Sequence, residues 1–311
     1  MSNMLLIIDI SHDSVTVSDF DMLRFRPAST ERYSLMDFYD IHAILDHHFL
    51  QGLTFIPEAC CIVCNAINTG KWVIPTHNPQ MRLSVPELKA QTGIKKVYFL
   101  SPAEALSFSA LVPEAGGTQH LTGSDNLAGE GIKLTVETRD RFSCSLLSRN
   151  SGRWQSSRIC YNEPALTSDD AAITGFMHHY GYDALLNERG LVLLNGYFCA
   201  RNDQQAEYLT YSDVLKDSDG NKQQERKAAT DAYFNLLSRF FLQVQDHASV
   251  HAQDITFIVH TTQPDLFAVN YRQYVATLSD NSPVHSVYLN ASETPRLYGA
   301  AAWVSQPGLP G

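Results

Sequence analysis

The chain has 311 residues, of which 44% are hydrophobic and 18% charged, and its formal net charge is −10 at pH 7. Nucleic acids and anionic membranes bind basic surfaces, so this acidic balance argues against both as partners. No apolar stretch of the sequence is long enough to cross a membrane, and residues 1–9 lack the basic start and long apolar core of a signal peptide. We therefore expect a cytoplasmic protein.

The first hundred residues alternate between strand and helix patterns. Met4–Ile10 is an apolar run, and residues 14–19 alternate apolar and polar side chains as a half-buried strand does. Residues 35–49 have apolar positions at helical spacing, and Ser84 with Glu87 is typical of a helix start. Further strands are predicted at residues 59–66, 72–74 and 97–100. This alternation predicts a sheet covered by helices.

The rest of the chain continues in the same way. Residues 115–128 are rich in Gly, Thr, Ser and Asn and predict a loop or hairpin, and residues 216–226 are polar enough for an exposed loop. Strands are predicted at 132–136, 144–147, 255–259 and 285–289, with another beginning at Arg153. Helices are predicted at 168–180, 228–244, 266–278 and 295–304. The helix at 228–244 has the clearest apolar stripe.

Six cysteines in a chain of this length do not suggest a disulfide framework. Cys60, Cys61 and Cys64 lie in one apolar run, where they fit as small buried side chains. The spacing of Cys60 and Cys64 is open to interpretation as a metal pair, but the sequence has no second Cys/His pair at a plausible distance. We expect these cysteines to be structural and expect no metal site.

A set of short segments follows a recognisable order along the chain. They are Gly70-Lys71-Trp72-Val73, Thr76-His77-Asn78, Leu83-Ser84-Val85 with Glu87-Leu88-Lys89, Gly93, Arg153-Trp154, Gly190-Leu191-Val192, Ser238-Arg239-Phe240, Phe257-Ile258-Val259 and Thr294-Pro295 with Leu297 and Gly299-Ala300-Ala301. Together they resemble the bacterial glucokinase family over nearly the whole chain. The resemblance implies an α/β fold: a two-domain actin-like ATPase (ribonuclease H-like) sugar-kinase fold with an interdomain cleft. The small domain would span residues 1–108, with 297–311 returning to it, and the large domain residues 109–296.

The first phosphate-binding turn of that family departs most from its pattern here. Its sequence after Asp9 is Ser11-His12-Asp13-Ser14, which contains no glycine. A turn that wraps a phosphate needs residues with φ > 0 and backbone N–H groups that approach the anion closely. The His12 and Asp13 side chains obstruct that approach, and the carboxylate repels phosphate. We therefore expect no nucleotide cofactor at this turn.

The other nucleotide segments of the family are also altered. The second phosphate loop aligns with Glu137, Thr138, Arg139 and Asp140, again without glycine and with two acidic side chains. Arg139 and Arg141 are open to interpretation as an anion site, but we prefer a solvated hairpin, because Glu137 and Asp140 lie beside them. The family's glycine pairs become Thr261-Thr262 and Phe241-Leu242. The resemblance thus implies that neither ATP nor magnesium is bound.

The sugar side of the family pattern is changed as well. Ser101-Pro102 replaces the Asn-Asp pair that holds glucose and supplies the catalytic base, and proline takes no proton. The G-E-G-G-H segment that grips the sugar hydroxyls has no counterpart between residues 158 and 162. Candidate substrate-binding residues are His77, Asn78, Ser101 and Asp183, but glucose binding is not expected. Glu104 is either a substitute acid or base or, as we prefer, a glutamate favoured by a helix N-terminus.

Three hypotheses follow for the function. The first is a glucokinase-like pseudokinase that binds a protein or a small ligand. The second is an active glucokinase, converting ATP and D-glucose to glucose 6-phosphate, which alone would need ATP and magnesium. The third is a sugar or metabolite sensor. We also expect a homodimer or a protein partner, because Phe234 and Phe241 lie off the main stripe of their helix, either exposed for association or buried under a second layer.

Overall fold

The protein is described here by a computed structural model, which covers residues 3–50, 57–113, 117–123, 125, 127, 130–139, 142–159, 171–205, 207–216, 223–248, 255–278 and 286–307. The strands are β1 (Met4–Ile10), β2 (Ser14–Asp21), β3 (Arg26–Ser34), β4 (Ala59–Val63), β5 (Ala66–Asn68), β6 (Trp72–Pro75), β7 (Leu83–Ser84), β8 (Lys96–Leu100), β9 (Thr118–Thr122), β10 (Ile132–Glu137), β11 (Ser143–Asn150), β12 (Arg153–Arg158), β13 (Ile255–His260) and β14 (Ser286–Asn290). The helices are α1 (Ile41–Leu50), α2 (Val85–Thr92), α3 (Pro102–Phe108), α4 (Ala171–Tyr180), α5 (Tyr182–Leu185), α6 (Glu188–Arg201), α7 (Tyr211–Leu215), α8 (Gln223–Ala248), α9 (Pro264–Ala276) and α10 (Pro295–Val304).

The chain divides into two compact units. The first unit contains Met1–Gly116, Asn150–Ser156 and Ser292–Gly311, and the second contains Gly117–Arg149 and Ser157–Ala291. The sequence-based boundaries were residues 108 and 296, so the chain passes from one unit to the other about eight residues later and back five residues earlier than expected. The segment Asn150–Ser156 had not been assigned to the first unit.

The first unit is built on a five-stranded sheet with the order β3-β2-β1-β4-β8. Strand β1 pairs antiparallel with β2 and parallel with β4, and β4 pairs parallel with β8. Strands β1 and β4 are continuous apolar runs because both of their faces are covered, as is usual for central parallel strands. A small sheet, β5-β6-β7, carries the turn that contains His77.

The second unit is organised around parallel pairing of β10, β13 and β14. These strands belong to a six-stranded sheet with the order β12-β11-β10-β13-β14-β9. The long helix α8 lies in the core of this unit, and its predicted stripe is buried: Ala229, Tyr233, Leu236, Leu237, Phe240 and Val244. Phe234 and Phe241 are fully buried too, so they contribute to the core and give no support for an association surface.

Several element boundaries differ from the prediction. Helix α1 begins at Ile41 rather than at residue 35. Leu35 precedes the helix and packs into the core of the first unit. Residues 59–66 are two strands, because β4 ends at Val63 and β5 begins at Ala66. The residues 118–122 form β9 where only a loop or hairpin was expected, and α8 begins at Gln223. Within the described ranges, no helix combines the length and apolarity that a membrane crossing requires.

Candidate functional site

The turn between β1 and β2 is closed by its own backbone. The N–H of Ser11 donates to the carbonyl oxygen of Ser14 at 2.8 Å, and the N–H of Leu35 donates to the carbonyl of Asp13 at 2.9 Å. No residue from Ser11 to Ser14 has a positive φ. A cradle for phosphate needs such a conformation to turn several N–H groups toward one point. The turn is therefore an ordinary hairpin connection in this chain.

The side chains of the turn form a small charged network. Ser14 Oγ donates to Asp13 Oδ1 at 2.9 Å, and Arg32 Nε donates to Ser14 Oγ at 3.0 Å. The Arg32 guanidinium lies 3.5 Å from the Asp13 carboxylate. The hydrogen bond from Ser14 lowers the pKa of Asp13, with a smaller contribution from the nearby Arg32 charge. Asp13 thus keeps a negative charge at the place where the resemblance would put a phosphate.

The structure brings His77 to this same turn. Its Nε2 atom donates to the carbonyl oxygen of Ser11 at 2.7 Å, and its ring stacks on His12 with the centroids 5.5 Å apart. Asn78 follows in the chain, and its carbonyl oxygen accepts from the N–H of Met81 at 3.1 Å. His77 and His12 together cover the Ser11 side of the turn.

Asp9 at the end of β1 has a charged neighbour from the last helix. Its Oδ2 atom lies 3.8 Å from Arg296 Nη1, and both side chains are largely buried. Arg296 is the second residue of α10, which belongs to the same unit. The one residue of the first phosphate turn that matches the family pattern therefore takes part in a structural ion pair.

Ser101 and Pro102 begin helix α3. Glu104 Oε2 accepts from both the N–H and the hydroxyl of Ser101 at 2.8 Å, and Ser101 Oγ accepts from the N–H of Glu104 at 3.2 Å. This reciprocal arrangement is a capping box, and Pro102 occupies the first helical position, where its missing N–H costs nothing. Both residues at the implied sugar and base positions are thus engaged in starting a helix, and Glu104 caps it.

A cavity of about 300 Å³ lies beside this helix start, within the first unit. Its polar lining is Asn65, Asn68, Ser101 and Glu104, and the remainder is mostly apolar. The Asn68 side chain accepts from the N–H of Gly70 at 2.8 Å. The cavity is large enough for a small ligand, at the lower end of the usual range for such sites.

In the second unit, Thr138 of the implied second phosphate loop is fully buried. Thr138 donates from both its N–H and its Oγ1 to the carbonyl oxygen of His260 at 3.0 Å. Glu137 accepts from Ser143 Oγ at 3.4 Å. Arg139 is half-buried, and Asp140 lies outside the described residues. The N–H of Thr138 thus links this segment to β13.

Glu188 is a functional candidate that the sequence analysis missed. Its N–H donates to the Thr138 carbonyl at 2.7 Å. Its Oε1 accepts from the Thr262 N–H at 2.6 Å and from Thr261 Oγ1 at 2.8 Å, and its Oε2 accepts from the Thr262 hydroxyl. The two segments that the resemblance assigns to the nucleotide therefore meet at one residue, Glu188: Thr138 accepts from its backbone N–H, and Thr261 and Thr262 donate to its carboxylate. Asn187 and Gly190 signal a helix start, but no local pattern points to these partners.

The structure also places two further residues from the sequence analysis, Phe241 and Asp183. Phe241 packs on Phe257 with ring centroids 4.2 Å apart, and both are fully buried, so they fill the interior of the second unit. Asp183 is exposed on the short helix α5 of that unit. Among the side chains that the structure describes, no three His, Cys, Asp or Glu residues are grouped as metal ligands.

No protein-family model matches the sequence, and no curated protein sequence matches it either. Several solved structures, in contrast, are similar to the chain. A glucokinase from an Antarctic psychrotroph has a TM-score of 0.77 at 14% identity, over 97% of this chain and 98% of that one. Leishmania braziliensis glucokinase has a TM-score of 0.72 at 13% identity, over 99% and 94%. A ROK family transcriptional regulator, a homologue of the E. coli MLC protein, has a TM-score of 0.60 at 10% identity, over 97% and 78%.

These similarities define the class of protein. The chain has the α/β fold of glucokinases and ROK sugar kinases, which is an actin-like ATPase fold. The predicted fold class is confirmed, and the predicted resemblance to glucokinases is confirmed at the level of the fold. The similar structures include both kinases and a transcriptional regulator, so the fold alone does not select an activity.

Proposed function

We propose that this chain is a non-catalytic protein with the glucokinase fold, which acts by binding a protein or a small ligand. The observation that carries the proposal is the turn from Ser11 to Ser14. Its Ser11 N–H is used within the turn, and the hydrogen bond from Ser14 lowers the pKa of Asp13, which favours a negative charge on the segment that aligns with the family's phosphate turn. Each charge-assisted hydrogen bond to a phosphate contributes about 1.5–3 kcal/mol. Losing two of them weakens binding roughly 10²–10⁴-fold.

The helix start at Ser101 supports the same proposal. Phosphoryl transfer to a sugar needs a carboxylate that orients the attacking hydroxyl and accepts its proton. Pro102 has no such group, and the Glu104 carboxylate already accepts two hydrogen bonds from Ser101. We therefore propose that the chain needs neither ATP nor magnesium and does not bind glucose as a kinase substrate.

Calorimetric titration with ATP–Mg²⁺ and a coupled glucokinase assay test this proposal. We expect no heat of binding at millimolar nucleotide and no glucose 6-phosphate. The Asp9→Asn variant is the matched control, because it changes the one residue that the first turn shares with the family. Turnover that disappears in Asp9→Asn would favour the active-glucokinase alternative and overturn the proposal.

A second candidate function is a sugar or metabolite sensor, which the cavity beside Ser101 favours. A regulator with this fold is among the similar structures. Thermal unfolding in the presence of D-glucose or sucrose tests it, with Ala66→Phe as a variant that fills the cavity. A ligand-dependent rise in unfolding temperature that is absent from Ala66→Phe would support the sensor. Equal responses of both proteins would count against it.

We further propose that the protein works in the cytoplasm as a homodimer or with a protein partner, without nucleic acid or membrane. Two considerations support this proposal. A protein with this fold that performs no catalysis can still act by association, and the net charge of −10 disfavours anionic partners. Light scattering across a wide concentration range tests the homodimer, since the monomer has a mass of 34.7 kDa. A pull-down from the native cytoplasm tests for a different protein.

A further inference from the structure

The carboxylate of Glu188 sits in an arrangement that resembles an anion-binding site. One backbone N–H and two hydroxyl groups, from Thr261 and Thr262, donate to its two oxygens. Convergent backbone and hydroxyl donors of this kind also bind phosphate oxygens in proteins. Here the anion is supplied by the chain itself, from a residue 73 positions earlier in the sequence.

The position of these donors strengthens the comparison with an anion site. Thr262 lies two residues before α9, a helix of 13 residues whose N-terminal end carries a partial positive charge. The N-cap residue of that helix, Gln263, makes no side-chain capping hydrogen bond. Glu188 is only 9% exposed and Thr261 only 2%, whereas Thr262 is exposed, so the contact lies at the boundary between the interior of the second unit and its surface.

We propose that Glu188 is the built-in occupant of an anion site and that it keeps phosphate groups away from Thr261 and Thr262. The chemical class that would bind in its absence is phosphate, either inorganic or on a nucleotide. The inference rests on the proposed function in one respect. The resemblance assigns Thr261-Thr262 to the nucleotide side, and the proposed function is that no nucleotide binds there. The contact blocks binding of an anion at Thr261 and Thr262, and it is separate from the closed turn between β1 and β2.

Two substitutions distinguish the effect of the Glu188 side chain filling the site from the effect of its negative charge. Glu188→Ala removes the occupant and leaves the donors, whereas Glu188→Gln keeps a side chain of the same shape that still accepts the Thr262 N–H. The double variant Glu188→Ala/Thr262→Val removes the occupant and one hydroxyl donor. Glu188→Ser gives the same test if the alanine variant does not fold, because serine is well tolerated at a helix start.

The experiment compares thermal unfolding in sodium phosphate and in sodium chloride of equal ionic strength, followed by calorimetric titration with inorganic phosphate. Phosphate stabilises folded proteins in general relative to chloride, so we expect it to raise the unfolding temperature of the native protein and of Glu188→Gln by the same amount. Glu188→Ala should be stabilised by phosphate and bind it at least about tenfold more tightly than the native protein, which corresponds to one charge-assisted hydrogen bond. The double variant should lose about tenfold of that gain.

The inference would be overturned if a folded Glu188→Ala or Glu188→Ser protein gained no more stability from phosphate than the native protein does, or if the native protein bound phosphate as tightly as Glu188→Ala. A final arm with ATP distinguishes the sources of phosphate, and no turnover is expected even in Glu188→Ala, since the first turn is unchanged. ATP–Mg²⁺ binding by the native protein would contradict the proposed function. A missing phosphate effect in the variants would contradict this inference alone.

Discussion

Gly299 of helix α10 lies in direct backbone contact with Ala105 of helix α3. A methyl group on Gly299 would come within 1.6 Å of the Ala105 carbonyl oxygen and 2.9 Å of the Ser109 nitrogen. Only glycine permits such an approach between two helices, because it has no Cβ atom. This contact fixes the closing helix on the first unit, where Ala300 and Ala301 are also buried.

We predict that Gly299→Ala lowers the free energy of unfolding by roughly 1–3 kcal/mol or more, since the backbone of α3 must move to admit the methyl group. Urea denaturation measures the change. Gly196→Ala is the matched control: Gly196 lies within α6 with open space around it, so alanine should raise stability by about 0.5–1 kcal/mol. Similar effects of the two substitutions would show that the α3–α10 contact is not rigid.

The Gly299 contact illustrates what the sequence can predict. The segment around Gly299 belongs to an ordered series of short patterns, and that order carried the fold prediction. The buried strands β1 and β4 were also predictable, because continuous apolar runs identify strands covered on both faces. Strand β3 was missed because it is an edge strand whose side chains alternate between exposed and half-buried, and most of them are polar. Its place depends on backbone pairing with β2.

The candidate site was predictable only where its contacts are local. The capping role of Ser101 and Pro102 follows from neighbouring residues in the sequence. The contacts of His77 with Ser11 and of Glu188 with Thr261 span 66 and 73 residues. Such distant pairs have no signature in a single sequence, since the fold rather than any local pattern brings them together. Glu188 therefore emerged only from the structure.

His48 is buried between acidic side chains in the first unit. Its Nε2 atom lies 3.6 Å from Asp19 Oδ2, and its Nδ1 atom lies 3.7 Å from Glu31 Oε2 and 3.0 Å from the Tyr33 hydroxyl. Burial acts to lower the pKa of His48, but the hydrogen bond and charge of Asp19, with Glu31, raise it above its ordinary value overall. The folded state therefore binds the proton more tightly than the unfolded state.

We predict that His48 stabilises the protein below its ordinary pKa of about 6.5 and that this contribution is lost as the pH rises through the higher pKa of the folded state. The native protein should therefore exceed His48→Gln in stability by more at about pH 5.5 than at about pH 8.5. Denaturation curves at both pH values measure the difference. His179→Gln, at an exposed position of the second unit, controls for loss of a histidine. Parallel pH profiles of the native protein and His48→Gln would contradict the prediction.

The described cysteines should be unreactive in the folded protein. Cys60, Cys61, Cys64, Cys144 and Cys199 are buried free thiols, and burial raises the pKa of Cys64 to about 12. Thiol reagents attack the thiolate, which is scarce under these conditions. In a Cys160→Ser background, we expect little thiol titration at about pH 8 in buffer and full titration of the five thiols in denaturant. Rapid reaction in buffer would show that these sites open readily.

The last prediction concerns the helix start at Ser101 and Pro102. Replacing them by Asn and Asp restores the family's sugar-binding and base residues, but we expect no glucokinase activity. The closed turn at Ser11–Ser14 is unchanged by these substitutions and still lacks a phosphate cradle. Asparagine also caps helices well, so the double variant should fold with a change of no more than about 1 kcal/mol in stability.

A coupled glucose 6-phosphate assay and urea denaturation check both parts. The matched control is Ser101→Ala, which removes the capping hydroxyl without adding a base and should lower stability by about 1 kcal/mol. Activity in the Asn-Asp variant but not in Ser101→Ala would mean that the chain still binds ATP productively. Such a result would also indicate that the turn between β1 and β2 does not prevent ATP binding. An Asn-Asp variant that folds with nearly native stability and forms no glucose 6-phosphate would agree with the prediction.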